Sequence, residues 1–407
     1  MTVSLVGDGV LLVALAWKVY ELSNSPAAMA AVGVAMTVPH VAFLLLGGVA
    51  SDRLDRRRLM IASDAVRGTV VAILGVLTIT GSLRLGHVLV LVVVFGAATA
   101  FFGPAFDAFV PDVVSPDRLA QANAVDQFVR PCAHGMLGPA IGGVLIAGGG
   151  SGAAFLADAA TFAVSIAFLS RVRPRAGVGA DARDGDPAGS GILGEVREGF
   201  RYVRANAWLW ATFVAATFAY LLFMGPVDVL LPYLVKNELH AGAGALGAVL
   251  ACGGVGALVG ALAVGGLGLP RRSMTFIYGT WTVATLMVAG YALARVPWQA
   301  MVVSFGFGAF EAAGTVVWLT TKQRLVPRDL LGRVSSFDWF ISTGLVPLSF
   351  AVTAPVAAAI GARGTLLGAG VLGGAVTLAF LFVPGVRDVD RDEAQVEAKP
   401  PAVPAAA

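Results

Sequence analysis

Apolar residues run along this chain in long blocks, set apart by short polar, proline or glycine breaks. A helix needs about 20 apolar residues to cross a hydrocarbon core about 30 Å thick. Twelve blocks approach or exceed that length, at roughly 2–20, 28–50, 60–80, 87–110, 119–147, 152–170, 207–234, 243–268, 274–294, 298–320, 333–360 and 364–384. The breaks carry turn chemistry: Ser25-Pro26, Asp52 to Arg58, Pro111-Asp112, Ser115-Pro116, Gly148 to Gly152, Pro270-Arg271-Arg272, Pro327-Arg328-Asp329 and Gly361 to Gly364. The runs are long and do not alternate, which excludes a β-barrel. The pattern predicts an all-α polytopic membrane protein of twelve spans, six in residues 1–171 and six in 207–384.

Two segments fall outside the blocks. Residues 172–206 read as a cytoplasmic linker: 176–191 have linker composition, and Ile192, Leu193, Val196, Phe200 and Val203 then recur at helical spacing. That spacing suits either an amphipathic helix on the membrane surface or a plain helical connector. Residues 385–407 are charged, then rich in proline and alanine, and are expected to form a disordered cytoplasmic tail.

Composition agrees with the spans. Of 407 residues, 57% are hydrophobic and 13% charged, against about 25% charged in a soluble domain. Soluble multidomain, coiled-coil and disordered classes are thereby excluded. The net charge of +3 is the small difference of 28 bases and 25 acids, so no nucleic acid or other polyanion partner is implied. Cys132 and Cys252 stand alone in apolar runs and the four histidines are scattered, so no metal site or cofactor is expected. No nucleotide-binding glycine loop precedes any lysine and no nucleophile–base set occurs, so the chain reads as neither an ATP-driven pump nor an enzyme. No cleavable signal peptide is evident, since Asp8 interrupts the first apolar run.

Charge position gives orientation. With both termini in the cytoplasm, 21 of the 28 bases fall in inside segments and five outside (Lys18, Arg84, Lys236, Arg295, Arg363), with Arg67 and Arg130 inside spans. This is the asymmetry of a multi-pass protein of the cytoplasmic membrane. Landmarks also recur at a near-constant offset. Arg57-Arg58 and Arg271-Arg272 are 214 apart, and Pro116 and Pro327 are 211 apart. Six plus six spans in parallel repeat is the organisation of carriers with two rocking halves.

The loop between spans 2 and 3 reads Gly47-Gly48-Val49-Ala50-Ser51-Asp52-Arg53-Leu54-Asp55-Arg56-Arg57-Arg58. Gly48 would permit close helix approach, and Asp52 could accept hydrogen bonds from a facing helix N-terminus, where the dipole favours an anion. This run resembles the loop signature of the major facilitator superfamily, G-x-x-x-D-R-x-G-R-R, filled by Gly48, Asp52, Arg53, Arg56 and Arg57, with Asp55 in place of the second glycine. The resemblance implies a conformational latch between Asp52 and the start of span 11 near Arg333, holding the outward-facing state. Asp107, near the inner end of span 4, would bridge to Arg56 or Arg57. The second-half copy, Gly265 to Arg272, lacks the acid. In span 5, Gly138, Pro139, Gly142 and Gly143 resemble the core of the G-P-x-x-G-G signature of exporting facilitators; Pro139 would kink the helix and the glycines pack across the half-to-half interface.

Further segments resemble one branch of the superfamily, bacterial exporters of the enterobactin-exporter and macrolide-efflux type: Gly7-Asp8-Gly9, Ser25-Pro26, Pro116 to Asn123, Phe155 to Phe162 and Leu331-Gly332-Arg333-Val334. In that branch a further cytoplasmic stretch precedes span 1. Here the first helix starts at the very terminus or the true start lies upstream.

Ionisable groups at lipid depth are functional by default, costing about 2.5–3.5 kcal/mol at a helix centre. Glu311 in span 10 and Asp8 in span 1 are candidates for carrying a proton or meeting a cationic substrate. Asp8 could equally be a polar contact between spans, and Glu311 a structural acid. Asp228 in span 7 could line the outer vestibule. Asp64 and Arg67 read as structural. Phe218, Tyr220, Phe223 and Phe310 could line an apolar cavity or face lipid. The expected function is secondary active export of amphipathic small molecules (drugs, siderophores or secondary metabolites) by a monomer, driven by the proton gradient. A facilitative or uptake carrier, or a lysolipid flippase, would use the same fold.

Overall fold

The computed structural model describes residues 2–114, 118, 128–172 and 192–391. Spans 1 to 4 are Thr2–Leu22, Pro26–Arg53, Arg56–Ile79 and Leu85–Val113. Spans 5 and 6 form one helical run, Phe128–Leu169, and spans 11 and 12 another, Arg333–Phe380. Between them lie span 7 (Ala207–Tyr233), span 8 (Ala243–Leu267), span 9 (Ser273–Leu293) and span 10 (Pro297–Leu325). The long runs break where the sequence predicts. Gly150 (φ 75°) and Gly361 (φ 77°) turn the chain between spans 5 and 6 and between spans 11 and 12. That backbone region is open to glycine at little cost. The predicted twelve-helix fold is the one observed.

The repeat is visible in the backbone as well as the sequence. Gly150 and Gly361 are 211 positions apart (361 − 150) and make the same turn. Asn24 and His240 carry φ of 49° and 48° in the turns after spans 1 and 7. One irregularity lies inside the helical run of spans 5 and 6: a π-turn over Pro131–Leu137 immediately precedes Gly138 and Pro139. Prolines and π-turns are the places where helices bend.

Contacts sort into two ends. At the basic end, Arg57 donates to the Ser170 carbonyl (2.5 Å) and Tyr202 to that of Leu325 (3.4 Å). At the opposite end, Lys236 donates to the Tyr20 carbonyl (2.5 Å), and Arg363 pairs with Glu238 and donates to the Ala292 carbonyl (2.6 Å). These contacts join segments that the charge count assigns to one side, as twelve spans require.

The halves meet unevenly along their length. One buried cluster joins both near the end opposite the basic one; it holds Val13, Tyr20, Val32 and Phe155 with Leu230, Leu246, Phe350 and Leu366. Towards the basic end the cluster divides. Met60, Ala105 and Phe109 pack within the first half, and Trp208, Phe213, Tyr278, Trp318 and Val334 within the second. The described structure is therefore sealed at one end and parted at the basic end.

The linker helix, Ile192–Ala205, docks beneath the second half: Glu198 pairs with Arg333 (2.7 Å) and Phe200 rests on Phe337. The tail differs from expectation. Residues 387–391 are ordered, because Asp390 accepts from the Met274 and Thr275 amides (2.7 and 3.0 Å) and caps span 9. An acid at a helix N-terminus satisfies free amide donors and meets the favourable end of the dipole. Residues 392–407 lie outside the described ones.

Candidate functional site: a cavity and two charge clusters

A small open-mouthed cavity lies near the middle of spans 7, 9 and 10. Its wall is Ala215, Ala216, Ala219, Tyr220 and Phe223 of span 7, Trp281, Ala284 and Thr285 of span 9, Phe307 and Glu311 of span 10, and Thr377 of span 12. Small residues make the hollow and rings edge it. Phe223 meets Tyr220 and Phe307 edge to face, at 5.6 and 5.7 Å between centroids. Glu311 is the one acid on this wall, half-buried, and its Oε1 accepts from Thr315 (3.0 Å). Such a wall offers an apolar, aromatic surface and a single carboxylate, which suits a flat apolar body carrying one positive charge.

Of the aromatic candidates, Tyr220 and Phe223 line this cavity. Phe218 and Phe310 do not; they point outward, 45% and 40% exposed. The helical period puts Phe218 on a different face from Ala216, Ala219 and Phe223. Asp228 is exposed in span 7, outside the cavity, at the level where Tyr20 donates to the Val229 carbonyl (2.5 Å).

Below the cavity span 10 carries a second charge. Lys322 is 4% exposed and pairs with Asp338 of span 11 (2.7 Å), which also accepts from Trp318 (3.0 Å) and Ser342 (3.2 Å). The sequence pattern placed Lys322 among the solvated inner bases. Its partner lies 16 residues further on, in the next span, beyond the reach of any periodicity.

The first half holds a denser cluster. Arg67 of span 3 is 3% exposed and pairs with Asp64 and with Asp8 of span 1 (3.6 Å). Phe102 and Phe162 lie over its guanidinium at 4.5 and 4.7 Å. Asp64 also accepts from Ser165 of span 6 (2.7 Å), and Asp158 of that span is fully buried nearby. Asp8 is thus a contact between spans 1 and 3 as well as an acid at lipid depth. Asp158 lay within the Phe155 to Phe162 segment, but its burial beside Arg67 could not be read from one span.

The two signature loops resolve in part. The Asp52 side chain lies outside the described residues, and Arg53 is exposed. Asp55, standing where the signature has glycine, caps span 3 by accepting from the Arg58 amide (2.9 Å). Arg56 leans on the Ser51 carbonyl (3.4 Å), and Arg57 caps the end of span 6. Asp107 is exposed near the basic end of span 4. The close approach expected at Gly48 belongs to Gly47: a Cβ there would overlap the Ala100 carbonyl, whereas one on Gly48 meets nothing within 4 Å.

Of the span-5 motif glycines, Gly143 packs across the interface. A Cβ on Gly143 would sit 3.1 Å from Gly247 Cα, and one on Gly247 2.5 Å from the Pro139 carbonyl oxygen. Gly142 and Gly138 face span 1 instead, against Val10 and Gly9.

The model of the family of transmembrane secretion effectors, within the major facilitator superfamily, matches residues 1–405. The chain belongs to this family. It is a membrane transporter and not an enzyme. Among relatives, the multidrug efflux pump Tap of Mycolicibacterium fortuitum is 29% identical over 398 residues, covering 94% of each chain. Macrolide efflux protein A of Streptococcus pyogenes is 22% identical over 239 residues, 58% of this chain and 57% of that one. Among solved structures, the nucleoside transporter NupG aligns with a TM-score of 0.67 at 12% identity, covering 93% of this chain and 96% of that one. A bacterial homologue of the human lysosomal transporter Spinster, inward-facing and unoccupied, aligns with a TM-score of 0.63 at 15% identity, covering 97% and 94%.

Proposed function

We propose that this transporter exports amphipathic, positively charged small molecules from the cytoplasm by alternating access, as a monomer, in exchange for protons. The observation that carries the reading is Glu311, the one acid on an aromatic-walled cavity at mid-depth. The relatives named as multidrug and macrolide efflux proteins support the direction. The bias of bases supports placing both termini, and the parted end, in the cytoplasm. In that orientation the structure is inward-facing, and a molecule in the inner leaflet or cytosol meets the cavity first. Closing the basic end then requires the halves to rock about their sealed contact. The Asp52, Arg53, Arg56 and Arg57 loop and Arg333 are the proposed latch of the closed form. No cofactor is required; the proton gradient supplies the energy.

The test uses inside-out membrane vesicles and ethidium, a flat aromatic monocation. Vesicles with an acidic lumen should accumulate ethidium, and a protonophore should collapse the accumulation. Glu311→Gln should lose it while reaching the membrane in normal amount. Gradient-driven uptake by right-side-out vesicles alone would overturn the direction, and full activity of Glu311→Gln the site.

A further inference from the structure

Among the described residues of the first half, one cluster holds more buried acids than bases. Three carboxyls, Asp8, Asp64 and Asp158, surround one guanidinium, Arg67. Asp64 is fully engaged by Arg67 and Ser165. Asp8 faces Arg67 at 3.6 Å and keeps 22% of its side chain exposed. Asp158 differs. It is fully buried, its Oδ1 accepts only from Thr161 (3.2 Å), and its Oδ2 makes no hydrogen bond. Span 1 leaves room for it, since any side chain at Gly7 would overlap Asp158 Oδ1 and Thr161 Oγ1. The remaining charged or titratable neighbours are His134, from the π-turn within span 5, and the aromatic-stacked Arg67 itself.

An isolated buried carboxylate is far costlier than a neutral one. With Arg67 already shared by Asp64 and Asp8, an ionised Asp158 would have no cation of its own among the described residues. No group of three or more His, Cys, Asp or Glu among the described residues is disposed to hold a metal ion. We infer that Asp158 is the group on which the first half carries the exchanged proton, with half-exposed Asp8 as its route to water. This rests on the antiport reading above and divides its labour. The proton rides between spans 1, 3 and 6, and the organic cation sits between spans 7, 9 and 10. The step is a plain transfer: a proton leaves Asp158 Oδ2 for the Asp8 carboxylate and then water, and Arg67 stays protonated throughout.

Purified protein in proteoliposomes tests this by infrared difference spectroscopy across a pH titration. The wild type should show a protonated-carboxyl carbonyl band that Asp158→Asn removes and Asp158→Glu keeps at a shifted frequency. A band untouched by Asp158→Asn overturns the assignment, as does a band that responds to sodium replaced by choline at fixed pH. Because the proposed resident state is neutral, Asp158→Asn should unfold at the wild-type temperature, whereas Asp64→Asn, which removes the nearer of the two carboxylates paired with Arg67, should unfold lower. Equal loss in both would also overturn it. In transport, Asp158→Asn should exchange ethidium across the membrane yet fail to concentrate it with a pH gradient. Wild-type failure to move ethidium would refute the substrate reading while leaving the infrared result to decide the proton site.

Discussion

The two halves descend from one plan but spend their buried charge differently. In the second half the two charges of span 10 are settled locally: Lys322 has Asp338, and Glu311 opens onto a cavity. In the first half three acids crowd one arginine under aromatic rings. A neutral pair and an open acid suit binding and release of a bulky solute. An over-acid cluster closed to all but Asp8 suits an ion no larger than a proton. Matching positions in a duplicated fold thus need not share chemistry.

Several substitutions would break or sharpen this contrast. Arg67→Ala should have the largest effect, destabilising by about 3–5 kcal/mol, because it leaves buried carboxylates without a counter-charge. Thermal unfolding in detergent measures it, and removing Asp64 as well should not restore stability while Asp8 remains ionised. Lys322→Ala should cost a similar amount by orphaning Asp338, but Lys322→Met with Asp338→Asn should recover most of it, since it removes both charges and keeps an oxygen to accept from Trp318. Recovery in both halves, or in neither, would erase the contrast. Gly254→Ala should come next, at about 1–3 kcal/mol, because its Cβ would lie 2.5 Å from the Gly135 carbonyl oxygen across the interface. Glu311→Gln should weaken ethidium binding about tenfold, or about 1.4 kcal/mol, with unfolding unchanged; a fluorescence titration reads the first and a melt the second. Smallest are Gly48→Ala and Gly265→Ala, expected within about 0.5 kcal/mol, since neither Cβ meets an atom within 4 Å.

The spans were legible because bilayer thickness acts on the apolar content of one stretch of chain at a time. Even the breaks at Gly150 and Gly361 followed from glycine alone. The candidate acids Asp8 and Glu311 were legible for the same reason: a charge in an apolar run stands out. Their surroundings were not. Asp158 and Lys322 looked ordinary in sequence because what sets them apart is a neighbour on another span. Gly48 was favoured over Gly47 on the signature's register, yet the helix face turned towards span 4 decides which of the two touches it. The order at 387–391 depended on a single side chain, Asp390, finding the free amides of span 9. Phe218 and Phe310 failed as lining residues because aromatic rings serve lipid contacts and cavities alike.

The turns at Asn24, Gly150, His240 and Gly361 leave almost nothing of the chain beyond the sealed face. In the proposed orientation that face is what the cell shows to its surroundings. An antibody would find few epitopes there, and an external protease little slack chain to cut. Reporter tags and cross-linkers belong instead at the basic face, on the linker helix or beyond Asp390. There, movement of the two halves would change the distance between labels without disturbing the seal.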